Sequence, residues 1–177
     1  MAFEDAIIIG GGPCGMQAAI SLQEIGKSPL IIEKGNIVNA IYHYPTHQTF
    51  FSTSEKLEIG DVAFITQNRK PVRLQALTYY REVAKRKELR VNTFERVLSA
   101  VKREDGLFKV TTEKGEYETP YVILTSRICW VYLVRSLIKF TIILRKGILI
   151  IIKMSWSSAG KTQVLMQRWS WQWQAQE

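Results

Sequence analysis

The sequence predicts an α/β fold: a parallel sheet flanked by helices, carrying a β-hairpin excursion and incomplete at its C-terminal side. Three observations predict it. An isoleucine-rich run at residues 6–9 leads into Gly10-Gly11-Gly12-Pro13-Cys14-Gly15. A helix-like stretch and a second apolar run, residues 29–32, follow at once. Three short strand-like runs between residues 89 and 112, two of them joined across Glu104-Asp105-Gly106, form the excursion. The bulk composition agrees. The chain has 177 residues, 46% apolar and 23% charged, which is enough for one packed core and too apolar for general disorder. Two cysteines cannot build a disulfide framework. No basic segment precedes a long apolar stretch at the N-terminus, so no signal peptide is expected.

Residues 6–9 suit a strand buried on both faces. Gly10, Gly12 and Gly15 then occupy the fixed positions of G-x-G-x-x-G. Gly10 permits the tight turn, Gly12 leaves room for a pyrophosphate, and Gly15 lets the next helix pack closely on the sheet. Residues 16–25 read as that helix, with Ala18, Ala19, Leu22 and Ile25 as a small apolar face and Gly26 as C-cap. Its N-terminus offers N–H groups and a positive dipole end to phosphates, and Pro13 fits the first turn. Glu33 closes the strand at 29–32, 18 residues after Gly15, where a carboxylate can accept hydrogen bonds from a ribose diol. Taken in order, these parts form a Rossmann-like dinucleotide-binding unit. Residues 71–87 read as a helix with Val72, Leu74, Leu77, Val83 and Ala84 as its apolar stripe. Arg81, Lys85, Arg86 and Lys87 are its solvated face. Residues 89–94, 96–102 and 107–112 read as strands, Lys114-Gly115 as a turn, and residues 121–124 as a strand returning to the parallel sheet.

A hairpin excursion after the first βαβ unit resembles flavoproteins with two dinucleotide domains, in which the N-terminal motif holds FAD and a second motif holds NAD(P)H. Three stretches narrow the likeness: the glycine turn, Ile32-Glu33-Lys34-Gly35, and Asn39-Ala40-Ile41-Tyr42-His43-Tyr44-Pro45-Thr46-His47-Gln48-Thr49-Phe50-Phe51-Ser52. They resemble the bacillithiol disulfide reductases, flavoproteins similar to thioredoxin reductase, and the resemblance runs over residues 4–124. It implies that residues 1–124 are the N-terminal part of an FAD-binding domain. It also implies NADPH as reductant and the disulfide of a small cytoplasmic thiol as substrate. No nucleic acid or membrane partner is implied, and a homo-oligomer is open for the full-length family. The resemblance carries Cys14 over as the redox-active thiol. It carries Gly10, Gly12, Pro13, Cys14, Gly15, Glu33, Lys34, His47 and Val97 over as cofactor-binding residues.

Thioredoxin reductases pass electrons through Cys-x-x-Cys. The cysteines here are Cys14 and Cys129, so that dithiol relay is excluded. A helix N-terminus lowers a thiol pKa, which favours a thiolate at Cys14. The competing reading is a small side chain packed beneath the cofactor. By resemblance, Tyr42, Tyr44, Phe50 and Phe51 lie against the flavin; they read equally well as ordinary core. His43 and His47 are four apart, but Pro45 keeps them off one helix face, so no metal site is expected.

Near Leu124 the composition breaks. The 24 basic side chains divide 16 to residues 1–124 and 8 to residues 125–177; the 16 acidic ones divide 15 to 1. All five tryptophans, Trp130, Trp156, Trp169, Trp171 and Trp173, lie in the tail. Residues 128–152 are apolar, but Arg135, Lys139, Arg145 and Lys146 interrupt them well short of the roughly 20 residues a membrane span needs. A basic, aromatic surface element is a second reading. A reading-frame error is the third, and codon arithmetic favours it. Regrouping each codon's last base with the next two turns Met166-Gln167, Trp171-Gln172 and Trp173-Gln174 into alanine whichever synonyms are used. With allowed synonyms elsewhere, residues 158–172 become G-G-K-N-S-S-V-D-A-A-L-E-L-A, a glycine turn and an amphipathic helix. Residues 130–135 become G-V-P-G-E, a linker motif of this flavoprotein class. The tail at 125–177 is therefore expected to be aberrant, and the chain to lack the NADPH domain, fold poorly and show no reductase activity. The alternatives are a non-enzymatic remnant and a membrane-associated FAD-binding fragment.

Overall fold

The computed structural model describes residues 2–125 and the backbone of two strands in the tail, Leu149–Trp156 and Thr162–Leu165. The parallel sheet is built on β2 (Ala6–Ile9), with β3 (Pro29–Ile32) on one side and β8 (Val122–Thr125) on the other. A short strand, β4 (Arg90–Asn92), extends it beyond β3. Ile8 is in register with Ile31 and Ile123, and all three face the helices. Their neighbours Ile7, Leu30, Ile32 and Val122 face the opposite way. Both faces of these strands are covered, which is why their sequences are continuous apolar runs.

Helix α1 (Pro13–Glu24) crosses from β2 to β3 and starts three residues before the expected Met16, with Pro13 in its first turn. It buries Gly15, Met16, Ala19, Ile20 and Leu22 against the sheet. Ile25, expected on that face, is 55% exposed because the helix has already ended. Gly26 takes the left-handed conformation (φ 74°) and donates its N–H to the Gln23 carbonyl, as a C-terminal glycine does.

Two single-turn helices follow, α2 (Asn39–Tyr42) and α3 (Ser54–Leu57), and then α4 (Arg73–Arg86). The core-facing side of α4 is Ala76, Leu77, Tyr79, Tyr80, Val83 and Ala84. Leu74, expected in the stripe, lies just outside that arc and is 66% exposed. Arg81, Lys85 and Arg86 are exposed, whereas Lys87 is half-buried at the helix end. The two tyrosines fasten the loop in front of α4. The Tyr79 hydroxyl accepts the Ile59 N–H (2.9 Å) and donates to the Val62 carbonyl (2.7 Å). The Tyr80 hydroxyl donates to the Leu57 carbonyl (3.1 Å). Phe64 stacks on Tyr79 with ring centroids 4.1 Å apart.

The excursion is an antiparallel meander of β5 (Val97–Lys102), β6 (Phe108–Thr112) and β7 (Glu116–Thr119). A two-residue strand, β1 (Ala2–Phe3), pairs parallel with β7. Neither β1 nor β7 was expected from the sequence pattern. Gly106 makes the turn at φ 84°, as Glu104-Asp105-Gly106 predicts. Phe108 and Val110 of β6 close the second face of the parallel sheet. The backbones of β9 (Leu149–Trp156) and β10 (Thr162–Leu165) add to it next to β8, β9 parallel and β10 antiparallel to β9. The other expectations for the tail, including those for Cys129 and the regrouped linker, fall outside the described residues. No helix among the described residues is long and apolar enough to cross a membrane.

Tyr80→Phe removes one buried hydrogen bond, and unfolding in urea is expected to show a loss of about 1–2 kcal/mol. Burial pushes the Tyr79 hydroxyl up to about 12. An unfolded tyrosine ionises near pH 10, so the folded state holds its proton more tightly. The resulting stability is complete below pH 10 and is lost as pH rises from there toward 12. Tyr79→Phe should flatten that alkaline limb of the stability–pH curve.

Candidate functional site

The carboxyl ends of β2, β3 and β4 lie side by side, and the glycine turn leaves β2 there, bonded to the end of β3. Gly10 leaves β2 at φ 113°, a conformation open to glycine. A Cβ there would also meet the Thr125 hydroxyl oxygen at 2.5 Å. Thr125 donates that hydroxyl to the carbonyls of Ile9 (2.9 Å) and Gly10 (3.2 Å). Gly11 is held from two sides. Its N–H donates to the Glu33 carboxylate (2.7 Å), and its carbonyl accepts the Val38 N–H (2.9 Å).

Gly12 is the N-cap of α1 in extended conformation, and no side chain caps the helix. A Cβ on Gly12 would meet nothing within 4 Å, so the space in front of the helix is open. A Cβ on Gly15 would instead fall inside the radius of the Gly10 carbonyl oxygen. Gly10 thus makes the turn and Gly15 the close approach of helix to strand, while Gly12 leaves open space. An uncapped helix N-terminus behind a bare backbone is a cradle for an anion. Pro13 and Cys14 form the first turn beside it, both partly buried.

Glu33 is 9% exposed. Its second oxygen accepts the Gly35 N–H (2.9 Å), so the carboxylate bridges the turn after β2 and the turn after β3. Each oxygen keeps a further lone pair for a hydroxyl donor. Lys34 follows on the surface. Val38 is fully buried at φ 50°, a strained state for a β-branched residue. The bond from its N–H to Gly11 accompanies that strain.

His47 is exposed on a turn whose hydrogen bonds run to the start of α4 rather than to the glycine turn. The Gln48 carbonyl accepts the Arg73 N–H, and the Arg73 guanidinium binds the Tyr42 carbonyl at 2.6 Å. The aromatic residues of this loop divide. Phe50 is buried and Tyr44 packs on the same core, while Tyr42 and Phe51 are exposed. Val97 starts β5, packs partly on the core between the two sheets, and pairs with Thr112.

Beside these residues lies a network that sequence reasoning missed. Glu95, only 2% exposed, accepts from the Thr112 hydroxyl (2.6 Å), the Tyr117 hydroxyl (2.9 Å) and the Asn92 amide (3.0 Å). Burial first, and then the bond to Glu95, raise the Tyr117 hydroxyl above its ordinary pKa. Backbone bonds tie this corner to the site: the Glu95 N–H reaches the Glu33 carbonyl and the Phe94 N–H the Gly35 carbonyl, both at 3.0 Å. No spacing rule links Glu95 to residues 17 and 22 positions away, so nothing local signalled it. Val38 and Thr125 were missed for the same reason.

The family model described as pyridine nucleotide-disulphide oxidoreductase matches residues 7–126. The chain is 65% identical over 126 residues to Bacilliredoxin reductase Bdr of Bacillus subtilis, covering 71% of this chain and 39% of that protein. Two solved structures are similar. Bacillithiol disulfide reductase Bdr of Staphylococcus aureus shares 54% identity with a TM-score of 0.70, over 71% of this chain and 39% of that one. The Bacillus cereus protein of the same name shares 64% identity with a TM-score of 0.67, over 69% and 39%. The chain thus spans 39% of the length of these relatives.

The two glycines at either end of the helix start should respond oppositely to a methyl group. Gly15→Ala is expected to destabilise the fold by about 1–3 kcal/mol through overpacking. Gly12→Ala should cost under about 1 kcal/mol, since the space is open and only the cap preference changes. Thermal unfolding of both variants checks the contrast.

Proposed function

The chain belongs to the pyridine nucleotide-disulphide oxidoreductase family, and on that premise we propose that residues 1–124 are the N-terminal part of the FAD-binding domain of a cytoplasmic, NADPH-linked reductase acting on a low-molecular-weight thiol disulfide. The observation that carries this reading is the 65% identity to Bacilliredoxin reductase Bdr over 126 residues. Bacillithiol disulfide is the substrate that the relatives' names suggest.

The residues present suit FAD. The bare Gly12 backbone and the uncapped start of α1 suit its pyrophosphate, with Gly10, Pro13 and Gly15 shaping the turn. The Glu33 carboxylate, beside Lys34, is oriented by two backbone N–H groups toward a role with the ribose. Val97 is assigned to the adenine by its backbone, and His47 to the flavin side. Bound FAD supplies two-electron transfer between a nicotinamide and a disulfide. Cys14 is the redox-active thiol in this reading. Its place in the first turn of α1, beside the turn assigned to the pyrophosphate, is what supports that role.

Residues 125–177 are read as a frame-shifted tail, and they carry no second glycine motif in the frame given. The 177-residue protein is therefore expected to oxidise no NADPH in the presence of bacillithiol disulfide. Stoichiometric FAD together with NADPH oxidation by the purified chain would overturn this. Sequencing the locus tests the tail: an intact frame through residue 177, with no continuation in another frame, removes the frameshift. In a complete reductase restored in frame, Cys14→Ala should keep flavin absorbance and lose disulfide turnover; unchanged turnover refutes the thiol assignment.

A further inference from the structure

Arg73 opens α4, yet among the described residues its guanidinium pairs with no carboxylate. It turns instead to the end of α2. Its Nε donates to the carbonyls of Ile41 (3.3 Å) and Tyr42 (3.1 Å), and its Nη2 donates to the Tyr42 carbonyl (2.6 Å). The same guanidinium lies over the Tyr42 ring, 5.4 Å from its centroid. The Arg73 N–H donates to the Gln48 carbonyl (2.9 Å), so one residue grips residues 42–48 at both ends. A helix leaves its last carbonyls without partners of its own, and a cation is a favourable partner there.

At its other end α2 has Val38 as N-cap, buried and at φ 50°. The N–H groups of Ile41 (2.9 Å) and Tyr42 (3.1 Å) donate to the Val38 carbonyl, and the Val38 N–H donates to the Gly11 carbonyl (2.9 Å). Hydrogen bonds therefore run without a gap from Arg73 through α2 and Val38 to the peptide between Gly11 and Gly12. That peptide is trans, so its N–H points opposite to its carbonyl. With the carbonyl drawn to Val38, the Gly12 N–H is turned away from Val38, on the residue where a Cβ would meet nothing within 4 Å.

We propose that Arg73 is a positioning residue for anion binding at the glycine turn. The inference rests on the dinucleotide reading given above and adds the side chain that keeps the turn in its binding state. Without the guanidinium, the last carbonyls of α2 lose their partner and Val38 is no longer held in the left-handed region. Val38 then relaxes to negative φ and releases the Gly11 carbonyl. A peptide between two glycines rotates at little steric cost. Its carbonyl oxygen then comes to the front and repels a diphosphate. Arg73 itself touches no ligand.

The test compares the 177-residue protein with Arg73→Gln, Arg73→Lys and Tyr80→Phe by calorimetric titration with FAD and by amide hydrogen exchange. Arg73→Gln should weaken FAD roughly tenfold and speed exchange of the Val38 amide relative to the amides of β2. Arg73→Lys keeps a donor for the Tyr42 carbonyl and should fall between. Tyr80→Phe lowers stability outside this run of bonds, so it should leave FAD affinity and relative Val38 exchange unchanged; a merely structural Arg73 would behave in the same way. Unaltered relative exchange in Arg73→Gln, or FAD affinity equal to that of the unsubstituted protein, overturns the positioning role alone. Absence of FAD binding by the unsubstituted protein overturns the dinucleotide reading and this inference with it.

Discussion

The Glu33 carboxylate joins two turns whose bonded residues, Gly11 and Gly35, lie 24 positions apart in the sequence. One oxygen takes the Gly11 N–H at 2.7 Å and the other takes the Gly35 N–H at 2.9 Å. In a site only 9% exposed, such charge-assisted bonds are stronger than in water, and a carboxylate deprived of them would be costly to keep there. The rest of the carboxyl edge is arranged around this bridge. The carbonyl of Gly11 receives Val38, that of Gly35 receives Phe94, and that of Glu33 receives Glu95. Gly10 and Glu33 in turn donate to the ends of β3 and β4 through the carbonyls of Ile32 and Asn92. Three strand ends and three turns are thereby lashed into one surface.

A glycine-rich turn needs that lashing. Three successive glycines have more backbone freedom than any other tripeptide, and ordering them carries a large entropy cost. Side chains cannot grip the turn, because a bare backbone is what lets an anion approach. The chain therefore grips it from behind and below. Thr125 binds the carbonyls of Ile9 and Gly10, Glu33 binds the Gly11 N–H, and Val38 accepts a strained conformation to reach the Gly11 carbonyl. Gly12 is left open in front. The layers beneath are stiff for a simpler reason: helices cover one face of the parallel strands and the antiparallel meander covers the other.

What could be read from the sequence was whatever depends on local period and spacing. Residues 6–9 and 29–32 are apolar at every position because both faces are covered, and the turn glycines sit at offsets set by one helix turn. Those parts of the fold and the glycine cradle were legible. Leu74 and Ile25 were placed in the core because a periodic stripe does not show where the packing partner ends. Tyr79 and Tyr80 were overlooked because their rings fill the core while their hydroxyls reach carbonyls 17 to 23 residues away. β1 and β7 are short strands whose pairing is settled by each other, not by composition. The Glu95 network and the left-handed states of Val38 and Phe94 are tertiary outcomes. In each, a local preference is overridden by hydrogen bonds from distant parts of the chain, and no window of residues displays that.

The charge of the chain has to be separated from the charge of the site. No lysine or arginine occurs between Glu4 and Lys27, the stretch that holds the whole glycine turn and α1. An anion here meets backbone N–H groups and the positive end of a helix, an attraction that does not change with the protein's net charge. Elsewhere in residues 1–124 several basic groups are already engaged across strands: Arg90 with Glu4, Arg103 with Glu118, and Lys109 with Glu116. The formal +8 therefore says nothing about what the site binds. Its excess lies in residues 125–177, where 8 basic side chains face a single acidic one. Any attraction of an anion to this turn comes from the main chain and from three residues without side chains, not from the charge carried by residues 125–177.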